Sequence, residues 1–368
     1  MKKNNYEHIE YMQECLSLAQ KGLGSVSPNP MVGAVVVKNR KIVGRGYHKK
    51  FGKAHAEVNA LEQAGDEAKG STLYVNLEPC SFYGKTPPCT DLIISKGVKR
   101  VVVAMRDPNL QVNGKGISKL KKVKIDVVEN VLSKEAAQLN ESFVQYITKK
   151  LPFVTVKIAQ TLDGKISDYR GDSKWITNLE SRKETHRLRA THDAILVGAN
   201  TIKADNPELT VRLVKGKSPI RIVIDGKLSS PNNSKIFLTA KTVRTIVFVA
   251  ESSFKRSCKK VESLQELGVE IYPIKTQNNH IPLLQILKLI AKLNIASVLI
   301  EGGANIFSQF IQNKLADKVV IFIAPKIVGN GKDVVVIKNN RSLKSAISLT
   351  NVSYRKLGGD MMIEGYLK

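Results

Sequence analysis

The chain has 368 residues, a length that favours two domains, and 42% of them are hydrophobic, which excludes an intrinsically disordered protein. No apolar run approaches the ~20 residues of a membrane span and the N-terminal residues lack the apolar core of a signal peptide, so we expect a cytoplasmic protein. The net charge of +26 is spread over both halves without a basic tail or interleaved aromatic residues, which favours a basic enzyme with anionic substrates over a nucleic-acid-binding protein.

Helical and strand patterns alternate along residues 6–150, an order that indicates an α/β layered sheet. In chain order, the predictions are a helix over 6–22, strands over 31–37 and 41–47 joined by a hairpin turn, a helix over 58–64, a strand over 71–77, a helix over 90–95, a buried strand over 99–105 and an amphipathic helix over 134–150. Pro152 cannot continue the last helix, so the domain boundary is placed there. This predicts domains over residues 1–150 and 151–368.

One histidine and two cysteines carry the predicted chemistry of the first half. His55 and Glu57 precede the helix at 58–64, Cys80 follows the strand at 71–77, and Cys89 precedes the next helix. One imidazole and two thiolates form a three-ligand zinc set that leaves a fourth position for water. Glu57 need not bind the metal and can move protons to the leaving nitrogen. The order is that of zinc deaminases, in which His-x-Glu precedes a Pro-Cys…Cys element.

Two other interpretations of these residues remain open. A structural zinc site needs a fourth protein ligand, and no further histidine or cysteine of the first half has obvious ligand spacing, although the sequence does not exclude His48. A structural site also leaves Glu57 unexplained. A zinc deaminase bound to RNA suits the basic composition, yet nucleic-acid deaminases place two residues between the cysteines, and here eight lie between Cys80 and Cys89. The remaining cysteines, Cys15 and Cys258, are expected to be free thiols in a reducing compartment.

The segment Pro-Cys-Ser-Phe-Tyr-Gly-Lys-Thr-Pro-Pro-Cys, over residues 79–89, resembles the zinc loop of the bifunctional riboflavin-biosynthesis deaminase/reductases. Residues 28–34, 46–48 and 105–109 also resemble that family, although Leu110 stands where the family has proline. The resemblance implies a cytidine-deaminase-like α/β sandwich with zinc held at helix N-termini. It further implies substrate contacts from Asn29, His48, Lys85, Thr86, Asp107 and Asn109, with Lys85 as the phosphate anchor.

The second half opens on a predicted buried strand over 153–159 that contains one lysine, Lys157. A lysine in such a strand either reaches the edge of the sheet or faces a site. Glu301, Gly302 and Gly303 follow a predicted strand over 296–300 and open a helix, where glycines let the backbone approach phosphates. No Gly-x-Gly-x-x-Gly motif supports a Rossmann site, and residues 229–293 indicate only generic α/β structure.

Segments at 161–165, 172–177, 197–201, 204–212 and 300–304 resemble, in order, the reductase half of the same family. That half is similar in fold to dihydrofolate reductase and uses NADPH. By resemblance, the substrate contacts in this half are Lys157, Ser173, Leu209, Arg212 and Glu301. The implied cofactor contacts are Gln160, Trp175, Thr201, Asp205, Gly302, Gly303, Ala304 and Asn305.

The resemblance therefore implies two consecutive reactions on one phosphorylated pyrimidine. A diaminopyrimidinone ribosylamino 5′-phosphate loses ammonia at the zinc site with Glu57 as proton shuttle, and NADPH then reduces C1′ of its ribosyl group to ribityl. Arg212 would anchor the phosphate in the second reaction. The expected cofactors are one Zn²⁺ per chain and NADPH. The expected partners are the small-molecule substrate and further copies of the chain, with neither nucleic acid nor membrane.

Overall fold

The structure is a computed structural model that describes residues 2–83, 87–278, 280–336 and 342–367. The chain divides into two compact units, Met1–Leu151 and Pro152–Lys368. Within the described parts of the chain, no helix combines the length and the hydropathy that a membrane span requires.

The first unit is built on a five-stranded sheet. Its strands are β1 (Gly33–Lys38), β2 (Lys41–Tyr47), β3 (Thr72–Leu77), β4 (Arg100–Met105) and β5 (Asp126–Glu129). Its helices are α1 (Lys2–Gln20), α2 (Ala56–Ala64), α3 (Cys89–Ser95), α4 (Lys115–Lys122), α5 (Ser133–Leu139) and α6 (Glu141–Lys149). The strand order is β2-β1-β3-β4-β5; β1 runs antiparallel to both neighbours, and β3, β4 and β5 run parallel.

Alternate side chains of β1 enter two separate cores on opposite faces of the sheet, as the two-residue period of a strand requires. Ala34 and Val36 pack with residues of α2, α3 and α4. Val35 and Val37 pack with residues of α1 and α5. Burial on both faces explains why β1 is continuously apolar. The arrangement of helices on both sides of the sheet confirms the predicted α/β sandwich.

Local backbone geometry sets helix α2 close against the sheet. Asn39 and Arg40 have φ values of 52° and 61° and form the predicted hairpin turn between β1 and β2.

On β2, a Cβ atom added at Gly46 would lie 2.2 Å from the carbonyl oxygen of Ala56. Glycine at this position therefore lets the N-terminus of α2, which begins after His55, rest directly on the strand.

The prediction of one helix over 134–150 is wrong. Helix α5 ends at Leu139, α6 begins at Glu141, and Asn140 separates them. The side-chain oxygen of Asn140 accepts the N–H of Met31 at 2.7 Å, and its amide donates to the Met31 carbonyl at 3.0 Å. These two hydrogen bonds hold Asn140 against the segment before β1, and the helix is interrupted there.

The second unit is built on a nine-stranded sheet of order β11-β10-β9-β8-β12-β6-β13-β16-β15. Its strands are β6 (Phe153–Thr161), β7 (Lys165–Asp168), β8 (Ala194–Gly198), β9 (Ile220–Ile224), β10 (Thr245–Ala250), β11 (Val269–Ile274), β12 (Ser297–Ile300), β13 (Lys318–Ala324), β14 (Gly331–Asp333), β15 (Leu349–Leu357) and β16 (Asp360–Leu367). Its helices are α7 (Leu179–Thr191), α8 (Ala199–Asp205), α9 (Lys235–Leu238), α10 (Glu251–Arg256), α11 (Cys258–Glu266), α12 (Leu283–Lys292) and α13 (Ala304–Gln312).

Adjacent strands from β11 to β13 run parallel, and β16 and β15 add an antiparallel edge. Strands β7 and β14 form a separate antiparallel pair. Strand β6 continues beyond the predicted end at residue 159, because its pairing with β13 extends to Thr161. The carboxyl ends of β6, β8 and β12 meet at one edge, the position where ligands bind in open α/β sheets.

Candidate active sites

His55, Cys80 and Cys89 meet in the first unit. His55 is the N-cap of α2, Cys80 lies in the turn after β3, and Cys89 is the first residue of α3. The Nδ1 atom of His55 lies 3.2 Å from the Cys89 sulfur and 3.7 Å from the Cys80 sulfur. All three candidate ligand atoms lie within 4.8 Å of one another. One imidazole and two thiols at this separation fit a zinc ion with an open coordination position.

The two thiols do not titrate independently. The backbone N–H of Cys89 donates to the Cys80 sulfur at 3.3 Å. The Cys89 thiol also hydrogen-bonds to that sulfur and lowers the pKa of Cys80 to about 4, although burial opposes the shift. The same hydrogen bond, together with burial, raises the pKa of Cys89. Cys80 is therefore the thiol of the pair that ionises first.

Glu57 lies in the first turn of α2, and only 4% of the residue is exposed. Burial raises the pKa of its carboxyl group, and a hydrogen bond with Cys89 partly opposes that shift. The carboxyl group is thus held beside the proposed ligand set without being needed as a ligand. This is the position from which a general acid–base can transfer protons.

Asn29 and His48, which were predicted to contact the substrate, lie next to this set. The Nδ1 atom of His48 lies 3.0 Å from the Ala54 carbonyl oxygen and therefore carries the proton, while its Nε2 lies 3.4 Å from the side-chain nitrogen of Asn29. Burial lowers the pKa of His48. Its ring packs edge-on against His55, with 5.6 Å between ring centroids. His48 is thus a fixed, neutral neighbour of the His55 ring.

Glu78, which was not among the predicted site residues, holds in place the loop that carries Asp107 and Asn109. The Glu78 carboxylate accepts the N–H groups of Asp107, Gly114 and Gly116 at 3.2, 2.8 and 3.0 Å. Glu78 stands two residues before Cys80, so it ties this loop to the cysteine turn. Burial raises the pKa of Asp107 to about 6. The predicted contacts Lys85 and Thr86 lie outside the described residues.

A cavity of about 610 Å³ lies in the second unit and gathers most of the contacts predicted for the reductase half. The predicted residues that line it are Lys157, Ser173, Trp175, Thr201, Asp205, Leu209, Arg212, Glu301, Gly302 and Gly303. Gln160, Ala304 and Asn305 were also predicted as contacts but do not belong to the described lining. Gly302 and Gly303 connect β12 to the N-terminus of α13, where backbone N–H groups suit a phosphate.

A buried ion pair that was not predicted from the sequence, Arg189 with Glu301, lines this cavity. The Arg189 guanidinium donates to both oxygens of Glu301, at 2.7 and 2.9 Å, and to the Thr210 carbonyl at 3.1 Å. Only 12% of the Arg189 side chain and 11% of the Glu301 side chain are exposed. Burial would raise the pKa of Glu301, but Arg189 and then Lys157 outweigh it, so the pKa is lowered. Glu301 is therefore held as a carboxylate.

Lys157, in the interior of β6, lines the same cavity as Glu301. Burial lowers the pKa of its ammonium group, and the nearby Glu301 charge only partly compensates. The lysine that the sequence placed inside an apolar strand thus lines the cavity rather than reaching the edge of the sheet. A lysine of lowered pKa gives up a proton more readily than a solvated one.

The rim of the cavity carries the other polar contacts. Arg212 donates from Nη1 to the Glu208 carboxylate and to the Thr210 hydroxyl, each at 2.8 Å, and half of its side chain remains exposed. The Ser173 hydroxyl donates to Asp205 at 3.3 Å. Trp175, 65% exposed, lies under the Arg182 guanidinium, whose carbon is 4.2 Å from the ring centroid. The rim therefore offers a guanidinium and an aromatic face to a ligand.

Family models match both units. Residues 5–105 match the cytidine and deoxycytidylate deaminase zinc-binding region, and residues 152–363 match the RibD C-terminal domain. Riboflavin biosynthesis protein RibD of Aquifex aeolicus is 47% identical over 354 residues, which is 96% of each chain. That of Escherichia coli K12 is 38% identical over 333 residues, covering 87% of this chain and 88% of its own.

Solved structures agree over the full length. The structure of Acinetobacter baumannii RibD superposes with a TM-score of 0.90 at 33% identity and covers 99% of both chains. A Thermotoga maritima protein described as a diaminohydroxyphosphoribosylaminopyrimidine deaminase/5-amino-6-(5-phosphoribosylamino)uracil reductase superposes with a TM-score of 0.84 at 39% identity. It covers 99% of this chain and 100% of its own.

A zinc-type deaminase fold and a reductase fold in one chain define a bifunctional enzyme. The first unit has the cytidine-deaminase-like fold, and the second has the dihydrofolate-reductase-like fold of NADPH-using reductases. The chain belongs to the RibD family of bifunctional riboflavin-biosynthesis deaminases and reductases. The predicted family, fold class, enzyme class and cofactors are confirmed.

Proposed function

We propose that residues 1–150 deaminate a diaminopyrimidinone ribosylamino 5′-phosphate and that residues 151–368 reduce its ribosyl group to ribityl. The observation that carries this proposal is the convergence of the predicted residues at two separate places, the His55 cluster and the cavity around Glu301. The Thermotoga maritima relative, described by both activities, supports the same substrates.

In the deaminase unit, His55, Cys80 and Cys89 would hold zinc, which supplies a Lewis acid that activates water near neutral pH. Glu57 takes up a proton and later delivers it to the leaving ammonia. Asn29 and His48 orient the pyrimidine ring beside His55, since their polar groups are fixed by neighbours. Lys85 remains the predicted phosphate anchor of this unit.

In the reductase unit, bound NADPH would supply the hydride for the reduction at C1′. Lys157 and Glu301 orient the ribosyl group, because the ammonium and the carboxylate face the same cavity and Arg189 fixes the carboxylate. Arg212 anchors the 5′-phosphate at the rim. Gly302 and Gly303 leave the N-terminus of α13 open to a phosphate of the cofactor.

We also propose that the enzyme is a cytoplasmic homo-oligomer. Its four cysteines are free, which fits a reducing compartment. Strand β15 ends the large sheet, so one row of its backbone groups has no neighbouring strand among the described residues. Tyr354 on this strand is 69% exposed. An edge strand of this kind suits pairing with a second copy.

Replacement of Cys80 by serine tests the ligand set and the division of activities together. We expect wild-type protein to hold one zinc ion per chain. Cys80→Ser should lose most of this zinc and all deaminase activity, because a hydroxyl is a poor zinc ligand. Reductase activity on supplied deaminated intermediate should be unchanged. Cys258→Ser, which removes an exposed thiol, is the control. Zinc content by atomic absorption and both activities are measured; full zinc retention in Cys80→Ser would reject the ligand assignment.

Replacement of Arg212 by alanine tests the phosphate anchor. We expect the reductase KM for the pyrimidine substrate to rise about 10- to 100-fold, the range for a lost charge-assisted hydrogen bond, with deaminase activity unchanged. Arg187→Ala is the matched control: Arg187 is similarly exposed and also pairs with a glutamate, Glu184, but does not line the cavity. An equal rise in both variants would show a general charge effect instead.

A further inference from the structure

His186 is a polar side chain of the reductase cavity that the proposed mechanism does not use. It lies on α7 three residues before Arg189, on the same face of the helix, and only 6% of the residue is exposed. Its ring lines the cavity together with Lys157, Arg212 and Glu301. A buried imidazole in such a place needs a hydrogen-bonding partner for each ring nitrogen.

One ring nitrogen of His186 is committed to the protein. The backbone N–H of Arg212 donates to Nδ1 at 2.9 Å, and that of Leu213 lies at 3.5 Å from the same atom. Because an amide N–H only donates, Nδ1 carries the lone pair and the neutral ring carries its proton on Nε2. Nε2 has no hydrogen-bonding partner among the residues that the structure describes. The ring therefore presents one N–H donor to the cavity.

The charges around the ring keep it neutral. Burial, Arg189 and Arg212 lower the pKa of His186 to about 4. The described lining contains five lysine and arginine residues against two acidic ones: Lys157, Arg182, Arg189, Arg212 and Lys332 against Asp205 and Glu301. A neutral N–H donor inside a wall of net positive charge is suited to an anionic oxygen. It is not suited to carry a proton during the reaction.

We propose that the Nε2–H of His186 donates a hydrogen bond to a phosphate oxygen of the sugar-phosphate substrate. The inference rests on the proposed function, in which Arg212 anchors the 5′-phosphate. Nδ1 holds the backbone of Arg212, and Nε2 contacts the anion that the Arg212 side chain binds. One buried ring thus fixes the anchor and completes its binding site, so His186 contributes to the selection of phosphorylated over unphosphorylated substrate.

Two substitutions separate the roles of the two nitrogens. In His186→Asn, the side-chain oxygen can replace Nδ1 as acceptor for the Arg212 N–H, but no donor reaches the position of Nε2. In His186→Gln, the longer amide can place a donor near Nε2 while the Nδ1 acceptor is lost. A phosphate-binding role therefore predicts the larger rise in KM for His186→Asn. A purely structural role predicts the larger rise for His186→Gln.

We expect His186→Asn to raise the reductase KM for the pyrimidine substrate, and the inhibition constant of inorganic phosphate, about 10-fold or more. His186→Gln should recover most of that loss, and the KM for NADPH should stay constant in both. Greater damage in His186→Gln than in His186→Asn would overturn the proposal in favour of a structural role. A rise confined to the KM for NADPH would overturn it too, because the donor would then face the cofactor.

The Arg212→Ala variant distinguishes failure of this inference from failure of the proposed anchor. If Arg212→Ala raises KM and His186→Asn does not, the anchor stands and the role of His186 is rejected. If His186→Asn alone raises KM and the phosphate inhibition constant, the histidine contact is supported without Arg212. Unchanged constants in both variants would place the phosphate elsewhere and reject both. Unchanged deaminase activity and urea midpoints verify folding.

Discussion

Replacement of Glu57 by glutamine should lower the deaminase kcat by about 10²-fold or more while the protein keeps its zinc. The amide has nearly the same shape as the carboxyl group, so the packing of α2 against the sheet should be preserved. It cannot, however, take up a proton and deliver it to the leaving nitrogen. Glu57 is 4% exposed, so bulk water has little access to replace its function.

The measurement compares deaminase turnover, zinc content and reductase turnover in the wild type and in Glu57→Gln. Glu62→Gln is the matched control, because Glu62 lies on the same helix but is exposed to solvent. Retained zinc with lost deamination assigns proton transfer to Glu57. Normal deamination in Glu57→Gln would mean that another group moves the protons, and loss of zinc would mean that Glu57 supports the metal site itself.

The sequence was sufficient for features whose cause is local. The hairpin at Asn39 and Arg40 depends on the conformation of those two residues, and the strand at 41–47 follows directly. The zinc motif was also readable, because strand ends and helix N-termini place its residues in a recognisable order. Lys157 was conspicuous because a charge interrupts an otherwise apolar strand.

Features with distant causes could not be read in this way. The break at Asn140 depends on hydrogen bonds to Met31, 109 positions earlier. The helical periodicity of the sequence therefore does not predict the break. Glu78 looks like a turn residue until the loop carrying Gly114 and Gly116 is folded around it. Arg189 belongs to a helix rich in charged residues, which is typical of a solvated surface. Only the sheet order, which brings β12 beside β8, sets Glu301 against it.

The Arg189–Glu301 pair gives the second large prediction. Removing one partner of a buried ion pair typically costs about 3–5 kcal/mol, since it leaves an uncompensated charge in a poorly solvated place. We expect Glu301→Gln to destabilise the second unit by about 3 kcal/mol, near the lower end of that range, because the amide oxygen can still accept one hydrogen bond from Arg189. Reductase kcat should fall by about 10²-fold, the cost of a displaced positioning group.

The exposed pair of Arg244 and Glu270 is the matched control. It is also bidentate, with distances of 2.7 and 3.0 Å, but its side chains are 40% and 37% exposed. Glu270→Gln should therefore cost about 1 kcal/mol or less and leave the reductase active. Stability is measured by urea unfolding followed through the fluorescence of Trp175, the single tryptophan, which reports on the second unit.

The double variant Arg189→Met/Glu301→Met separates the stability of the pair from its function. Apolar side chains of similar length can replace a buried ion pair at little or no cost, so most of the lost stability should return. Reductase activity should not return, because the carboxylate proposed to orient the substrate is still missing. A double variant that regains activity with stability would mean that the pair acts only as a structural support. One that regains neither would show that the surrounding cavity depends on the charged groups.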